Sequence, residues 1–383
     1  MSSRTPALLI LALALVFVGA VLFRAGAFGG RSHAVAPPAV AALAVADTLP
    51  ATPAGTGWIG TPPELHAPFT AIVVWSLADP RSLAAADRAE KWRLLYGSLG
   101  ARIIGIHAPH AAFDADSEVV ATEVARRGLG YPVALDGSLA WTHELSSAGP
   151  RPCVVIADSL GRVCYTGVDD AAAERELEHL VVIAHPEMAS PGSAGDSAGS
   201  GAPTGGGAAD AVPAAATGVR APVWLGAGDH PTGPLADVTP GGPRTFHAEL
   251  STEIAGTPWV PTPIGLWSLG SDGLTAARGG AQQWVALRYD AVPLAVVASA
   301  ARGGSGKLWV LRDDAWLPRA VAGADVRFDA RGGSYVEVAW PRLYDVVRAD
   351  GHPHVVKLSP EEPGLTLHAF VFEPVPPVAP ARP

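Results

Sequence analysis

Hydrophobic and polar positions change pattern four times along the chain. Residues 5–23 form an unbroken apolar run of 19 residues, with Arg4 before it and Arg24 after it. An Ala- and Pro-rich stretch follows. From Trp58 onward, short apolar runs alternate with segments of helical period. Residues 71–75, Ala-Ile-Val-Val-Trp, have the β-branched and aromatic composition of a buried strand. Asp79 can cap a helix, and Pro80 suits its first position. Ala85, Ala89, Trp92 and Tyr96 then share one helical face, so a helix is expected over residues 80–98. Next come an expected strand over 102–107, a helix over 115–127 capped by Asp114 and closed by Gly128, an extended piece over 131–136 and a short helix over 138–146. Pro152 opens a hairpin with arms at 153–157 and 162–166, and Asp169 or Asp170 caps a helix reaching about Ala184. The order predicts an α/β unit with a mixed sheet.

After residue 222 the helical period disappears. Strands are expected at 245–250, 265–269, 284–289, 294–298, 307–311, 334–340, 354–358 and 365–372. Many alternate apolar and polar residues, which predicts an all-β sandwich, of the jelly-roll type, with one wet face. The expected partition is therefore a membrane anchor (1–28), a stalk (29–57), the α/β domain (58–185), a linker (186–221), the sandwich (222–375) and a tail (376–383). Gly, Ala, Ser and Pro dominate the linker, which predicts that the flanking domains move independently.

The 19-residue run is closer to the roughly 20 residues that span a bilayer than to the roughly 7–15 of a cleavable leader. An uncleaved single-pass anchor is the expectation, with both domains extracytoplasmic. The rival is a leader cut near Ala44-Val45-Ala46. Net charge is −9 and no basic stripe appears, so nucleic acid is not an expected partner. Two cysteines, without repeated Cys/His spacing, exclude a structural zinc site, and no cofactor is expected.

A buried strand ending in Trp75 and turning straight into a helix is similar to the active-site corner of a thioredoxin fold. Trp58…Thr61-Pro62-Pro63, Gly105-Ile106-His107-Ala108-Pro109, Tyr131-Pro132-Val133-Ala134-Leu135-Asp136 and Arg151-Pro152 occur in matching order. Together they resemble the extracytoplasmic thioredoxin-like domain of DipZ-like proteins, relatives of the TlpA group. Val223-Trp224-Leu225-Gly226, Gly265-Leu266-Trp267 and residues 342–348 and 365–373 resemble the C-terminal domain of the same family, a sandwich similar to carbohydrate-binding modules. The resemblance implies that Pro152 is the cis-proline facing the active-site helix. It also implies that Asp79 and Ser82 stand where the two redox cysteines belong, in Asp79-Pro80-Arg81-Ser82.

Candidate chemistry is correspondingly sparse. No catalytic residue is expected at the degenerate corner, and the leading function is binding or scaffolding at the cell envelope, with a protein or glycan partner. The alternative is a thiol–disulfide oxidoreductase using Cys153 or an atypical site. Cys153 and Cys164, on opposite arms of one hairpin, are expected to be two small buried hydrophobes, with a disulfide as the rival. Arg81 with Arg151 could hold a small anion. His107 with His110, and His352 with His354, have no acidic residue in an obvious supporting position, so no metal site is expected. Among many tryptophans, Trp316 and Trp259 are the loop candidates for stacking on a sugar ring.

Overall fold

The computed structural model describes residues 48–65, 67–145, 153–168, 170–186, 220–229, 233–247, 257–301 and 303–378. The first part runs β1 (Gly57–Ile59), β2 (Phe69–Trp75), α1 (Pro80–Tyr96), β3 (Ala101–His107), α2 (Ser117–Arg127), β4 (Val133–Leu135), α3 (Ala140–Leu145), β5 (Cys153–Asp158), β6 (Val163–Gly167) and α4 (Asp170–Ala184). Its sheet has the order β1-β4-β3-β2-β5-β6, parallel through β4, β3 and β2 and antiparallel at β5 and β6. This is a thioredoxin-like arrangement. Alternation along the wholly buried β2 assigns its faces. Phe69, Ala71, Val73 and Trp75 pack under α1, α2 and α4, whereas Ile72 and Val74 pack with Trp141 and Leu145 of α3.

Several expectations are corrected here. Residues from Thr48 onward belong to the fold rather than to a stalk ending at 57: Thr48 bridges Arg162, Leu49 N donates to Gly161 O (2.8 Å), and Gly57 pairs with Leu135. Asp116, not Asp114, caps α2, because Asp114 is drawn into a buried network described below. Residues 5–23, Arg151, Pro152 and 187–219 of the linker lie outside the described residues. No helix among the described residues is long and apolar enough to cross a membrane.

The second part is a large all-β region with, among the described residues, thirteen strands: β7 (Val223–Trp224), β8 (Arg244–Phe246), β9 (Thr262–Leu269), β10 (Leu274–Ala276), β11 (Trp284–Tyr289), β12 (Leu294–Ser299), β13 (Gly306–Arg312), β14 (Ala315–Trp316), β15 (Val326–Phe328), β16 (Ser334–Val338), β17 (Arg342–Val347), β18 (His354–Pro360) and β19 (Thr366–Val371). Short β7, β10, β14 and β15 escape the period-2 pattern because two or three residues cannot display one. β17 reads as a family motif more readily than as a strand.

The sheet folds over within β9. Thr262–Ile264 of that strand pairs with β11, and the remainder with β8 and β10. The turnover is at Gly265, φ 98°, where an added Cβ would lie 2.4 Å from Gln283 Oε1. Gln283 stands in for a missing strand there: its Oε1 accepts from Leu266 N (2.7 Å) and its Nε2 donates to Leu266 O (2.6 Å).

Independent movement of the two parts is also corrected. β12 is buried on both faces: Leu294, Val296 and Ala298 point into the β core, while Ala295 and Val297 join the apolar cluster of the first part. Phe370 and Val371 of β19 divide in the same way. A register shift between Val297 and Ala298 leaves His368 as the extra residue of β19, and its ring lies 4.1 Å from that of Phe113. A Val buried in such a cluster contributes about 1.5–3 kcal/mol. Val297→Asp, a charge without a partner between two layers, is expected to cost roughly 3–5 kcal/mol. Hydrogen exchange should then speed up in both α1 and β19, whereas independent domains would show the change in β19 alone.

Candidate functional site

The corner at the start of α1 is built by a cap, a proline and a buried hydroxyl. Asp79 is extended (φ −117°, ψ 112°), and its Oδ1 accepts from Arg81 N at 3.0 Å. Pro80 opens the helix. Ser82 is fully buried. Its Oγ accepts from Ser76 N (3.0 Å) and lies 3.0 Å from both Ser76 O and Asp79 O, which share its one proton. The hydroxyl therefore pins the strand-to-helix turn to itself. Burial, opposed by the Arg81 amide and reinforced by Glu373, holds the Asp79 carboxyl above the ordinary aspartate range.

Asp114 finishes the corner from behind. It accepts from Ser76 Oγ (3.0 Å), His110 N (3.0 Å) and Ala111 N (2.9 Å), and its own burial raises its pKa. These three donors, not a helix end, decide its orientation.

The β region covers the corner. Arg81 Nε donates to Glu373 Oε2 at 2.7 Å, and His110 stacks on Trp224 with ring centres 3.7 Å apart and planes 12° apart. Between the two parts remains a cavity of about 430 Å³ lined by Asp79, Arg81, His110, Arg220, Trp224 and Glu373, among others. Arg81 is thus committed to a carboxylate. Arg151, its expected partner in an anion spot, lies outside the described residues.

Of the two cysteines, Cys153 is buried as expected and Cys164 is not. The hairpin contains a bulge: Ala157 pairs with Val163, and Val155 with Thr166. The expected pairing of Val155 with Cys164 is displaced, and Cys164 points to solvent as a free thiol. Cys153 is buried and free, in the apolar cluster with Ile72, Val74 and Trp141 on the sheet face opposite α1. Burial pushes its thiol up to about 11. Raised above its unfolded value, that pKa favours the folded state below about pH 9, and the advantage fades as pH rises towards 11. At pH 8 a thiol reagent should titrate one cysteine in the native chain and two after denaturation. Two native thiols reacting at equal rates would contradict this placement.

The aromatic candidates separate. Asp313 and Asp314, both at positive φ (52° and 62°), make the tight turn between β13 and β14. That turn folds Trp316, 46% exposed, back onto Trp309 (ring centres 5.5 Å), beside Tyr335 (5.4 Å from Trp309). The Lys307 ammonium lies over both Trp309 (5.5 Å) and Tyr335 (5.1 Å). Trp309 and Tyr335 were not expected as site residues. The two-residue Asp-Asp turn with period-2 strands on either side was the available signal. Trp259 lies elsewhere, edge-on to Phe372 (4.8 Å) and beneath the Arg220 guanidinium (4.3 Å), so it is a packed ring.

The histidines have structural surroundings. His107 is buried edge-on to Trp75 (5.0 Å), and His354 lies between Asp313 (2.6 Å), 41 residues away, and Asp350 (3.0 Å), an acidic residue four positions upstream that corrects the expectation of no acidic support. Among the described residues no group of three or more His, Cys, Asp or Glu could hold a metal ion.

A family model described as "Thioredoxin like C-terminal domain" matches residues 236–372, which is most of the all-β region. Protein DipZ of Mycobacterium bovis (strain ATCC BAA-935 / AF2122/97) and of Mycobacterium tuberculosis (strain CDC 1551 / Oshkosh) are each 28% identical to the chain over 123 residues. That match covers 30% of this chain and 18% of each relative, so it spans less than a fifth of their length. Among solved structures, a thioredoxin-like protein in the oxidized form is similar at 15% identity and a TM-score of 0.33, covering 36% of this chain and 96% of that one. A thiol-disulfide isomerase from Corynebacterium glutamicum is similar at 17% identity and a TM-score of 0.29, covering 33% and 90%.

Proposed function

We propose that the chain is a membrane-anchored, extracytoplasmic binding or scaffolding protein of the cell envelope. On this reading its thioredoxin-like part has lost redox turnover and carries a β-sandwich of the jelly-roll type. The observation that supports it most is the state of the corner. Thiol–disulfide exchange needs a thiolate to attack a disulfide sulfur and a second thiol to resolve the intermediate. Asp79 offers a carboxylate spent on a cap, Ser82 a hydroxyl spent on the backbone, and Glu373 holds Arg81 across the entrance. The apolar run of residues 5–23 supports the anchor. The ligand-facing part of this reading is an envelope glycan resting on Trp316, with Trp309 and Tyr335 beneath it, because flat ring faces match the C–H faces of sugars.

The competing enzyme would be a one-thiol exchanger using Cys153. Its sulfur lies in an apolar cluster across the sheet from α1, with a pKa of about 11, so almost no thiolate exists at neutral pH.

Reduction of a model disulfide by the full chain tests the redox half, beside Cys153→Ser and Asp79→Cys/Ser82→Cys. The wild type is expected to be silent. Turnover that disappears in Cys153→Ser would overturn the non-catalytic reading. For the ligand half, Trp316→Ala should weaken binding to envelope polysaccharide while leaving the melting temperature nearly unchanged, because the ring is half exposed. A variant that binds as well as the wild type removes Trp316 from the site.

A further inference from the structure

The end of the first sheet opposite the corner carries the exposed apolar side chains that packing leaves unexplained. β2 begins there at Phe69, whose partners are Ala101 and Asp158. α1 returns there after 17 residues, and the Nε2 of His185, just past α4, lies 2.8 Å from Leu99 O. At this end Leu160, at the tip of the β5–β6 turn, is 68% exposed, and Ile183, in the last turn of α4, is 62% exposed. Leu94 and Leu95, near the end of α1, and Val182, in the last turn of α4, are exposed as well. Leu160 and Ile183 lie on two sides of the 158–162 turn, one against Thr48 and Leu49, the other against Pro68 and Ser159. Of the remaining large exposed hydrophobics among the described residues, Val168 and Trp316 lie elsewhere.

Two further facts choose an occupant. The chain enters the described fold at this same turn, where Thr48 bridges Arg162 and Leu49 N bonds Gly161 O. The 19-residue apolar run lies upstream of that entry. The side chains also project from a loop tip and helix ends rather than forming one broad face. Arg162, mostly exposed in the same turn and paired with Asp158 (2.7 Å), can keep its guanidinium at headgroup level while the apolar tips go deeper.

We propose that this end of the thioredoxin-like part is a lipid-facing surface: Leu160 and Ile183, with Leu95 and Val182, insert into the bilayer interface, and the covered corner and β region point away from it. The inference rests on the anchored reading above.

The test uses the full chain carrying Cys164→Ser, reconstituted in phosphatidylcholine vesicles. A fluorophore is attached through Leu160→Cys, Ile183→Cys or, as a control, Arg331→Cys in the β15–β16 turn. Phospholipids bearing a nitroxide near the headgroup should quench the labels at 160 and 183 several-fold more than the label at 331. Equal quenching at all three sites, in protein that still sediments with vesicles after a high-salt wash, overturns the lipid-facing surface and leaves the anchor standing. Protein that does not sediment with vesicles overturns both. Shielding of labels 160 and 183 without lipid, rising with protein concentration, overturns the proposal in favour of an interface between two copies of the chain.

Discussion

The two-sided burial of β12 is the constraint on which the rest depends. A strand in a two-layer β structure needs one apolar face, yet Leu-Ala-Val-Val-Ala-Ser is buried at every position because a third layer lies against it. Removing the first part would leave Ala295, Val297, Leu343, Ala369 and Val371 facing water. Covering them ties the fate of the corner to the β region. The same contact that satisfies β12 and β19 brings Glu373 to Arg81 and Trp224 to His110.

Much of the fold was legible in the sequence, for local reasons. The strand at 71–75, the helix beginning at Pro80 and the Gly128 closure follow from side-chain shape, capping and the left-handed tolerance of glycine, all properties of neighbouring residues. The continuous apolar run at 294–298 was also visible, but a sequence shows only that such a strand is buried twice. It does not show what buries its second face. That is why a linker rich in Gly, Ala and Ser read as independence between parts that share a core. Asp114 was misassigned for a similar reason: capping is a local rule, and Ser76, its partner across 38 residues, is invisible to it.

The candidate site was legible in its absences and not in its contacts. That Asp79 and Ser82, rather than cysteines, stand at the corner is read directly from the sequence. The cover does not announce itself, because Arg81 and Glu373 are separated by 292 residues. For the cysteines, a single bulged residue decided the outcome. With period 2 along a strand, one inserted residue exchanges inside for outside, and so Cys164 faces water while Cys153 does not. For the tryptophans the deciding feature was a two-residue turn, which folds Trp316 over a ring seven positions earlier.

The capped helix start and its cover are physically connected at this corner. The first turn of a helix offers backbone N–H groups that favour negative charge, the property that would stabilise a thiolate. Here Asp79 occupies that position and satisfies a first-turn amide from within the chain. An exposed helix start aimed at an incoming disulfide would have to stay open to solvent and to substrate. A capped one has no such requirement and can be partly enclosed at small cost. Arg81 and Glu373 are partly exposed, so their ion pair contributes only about 0.2–1 kcal/mol and does not itself hold the layers together. The apolar contact of β12 and β19 supplies the stability, and the ion pair fixes which residues meet. Cysteines placed at positions 79 and 82 would therefore supply a nucleophile without opening access to it, because the cover rests on residues far from those positions.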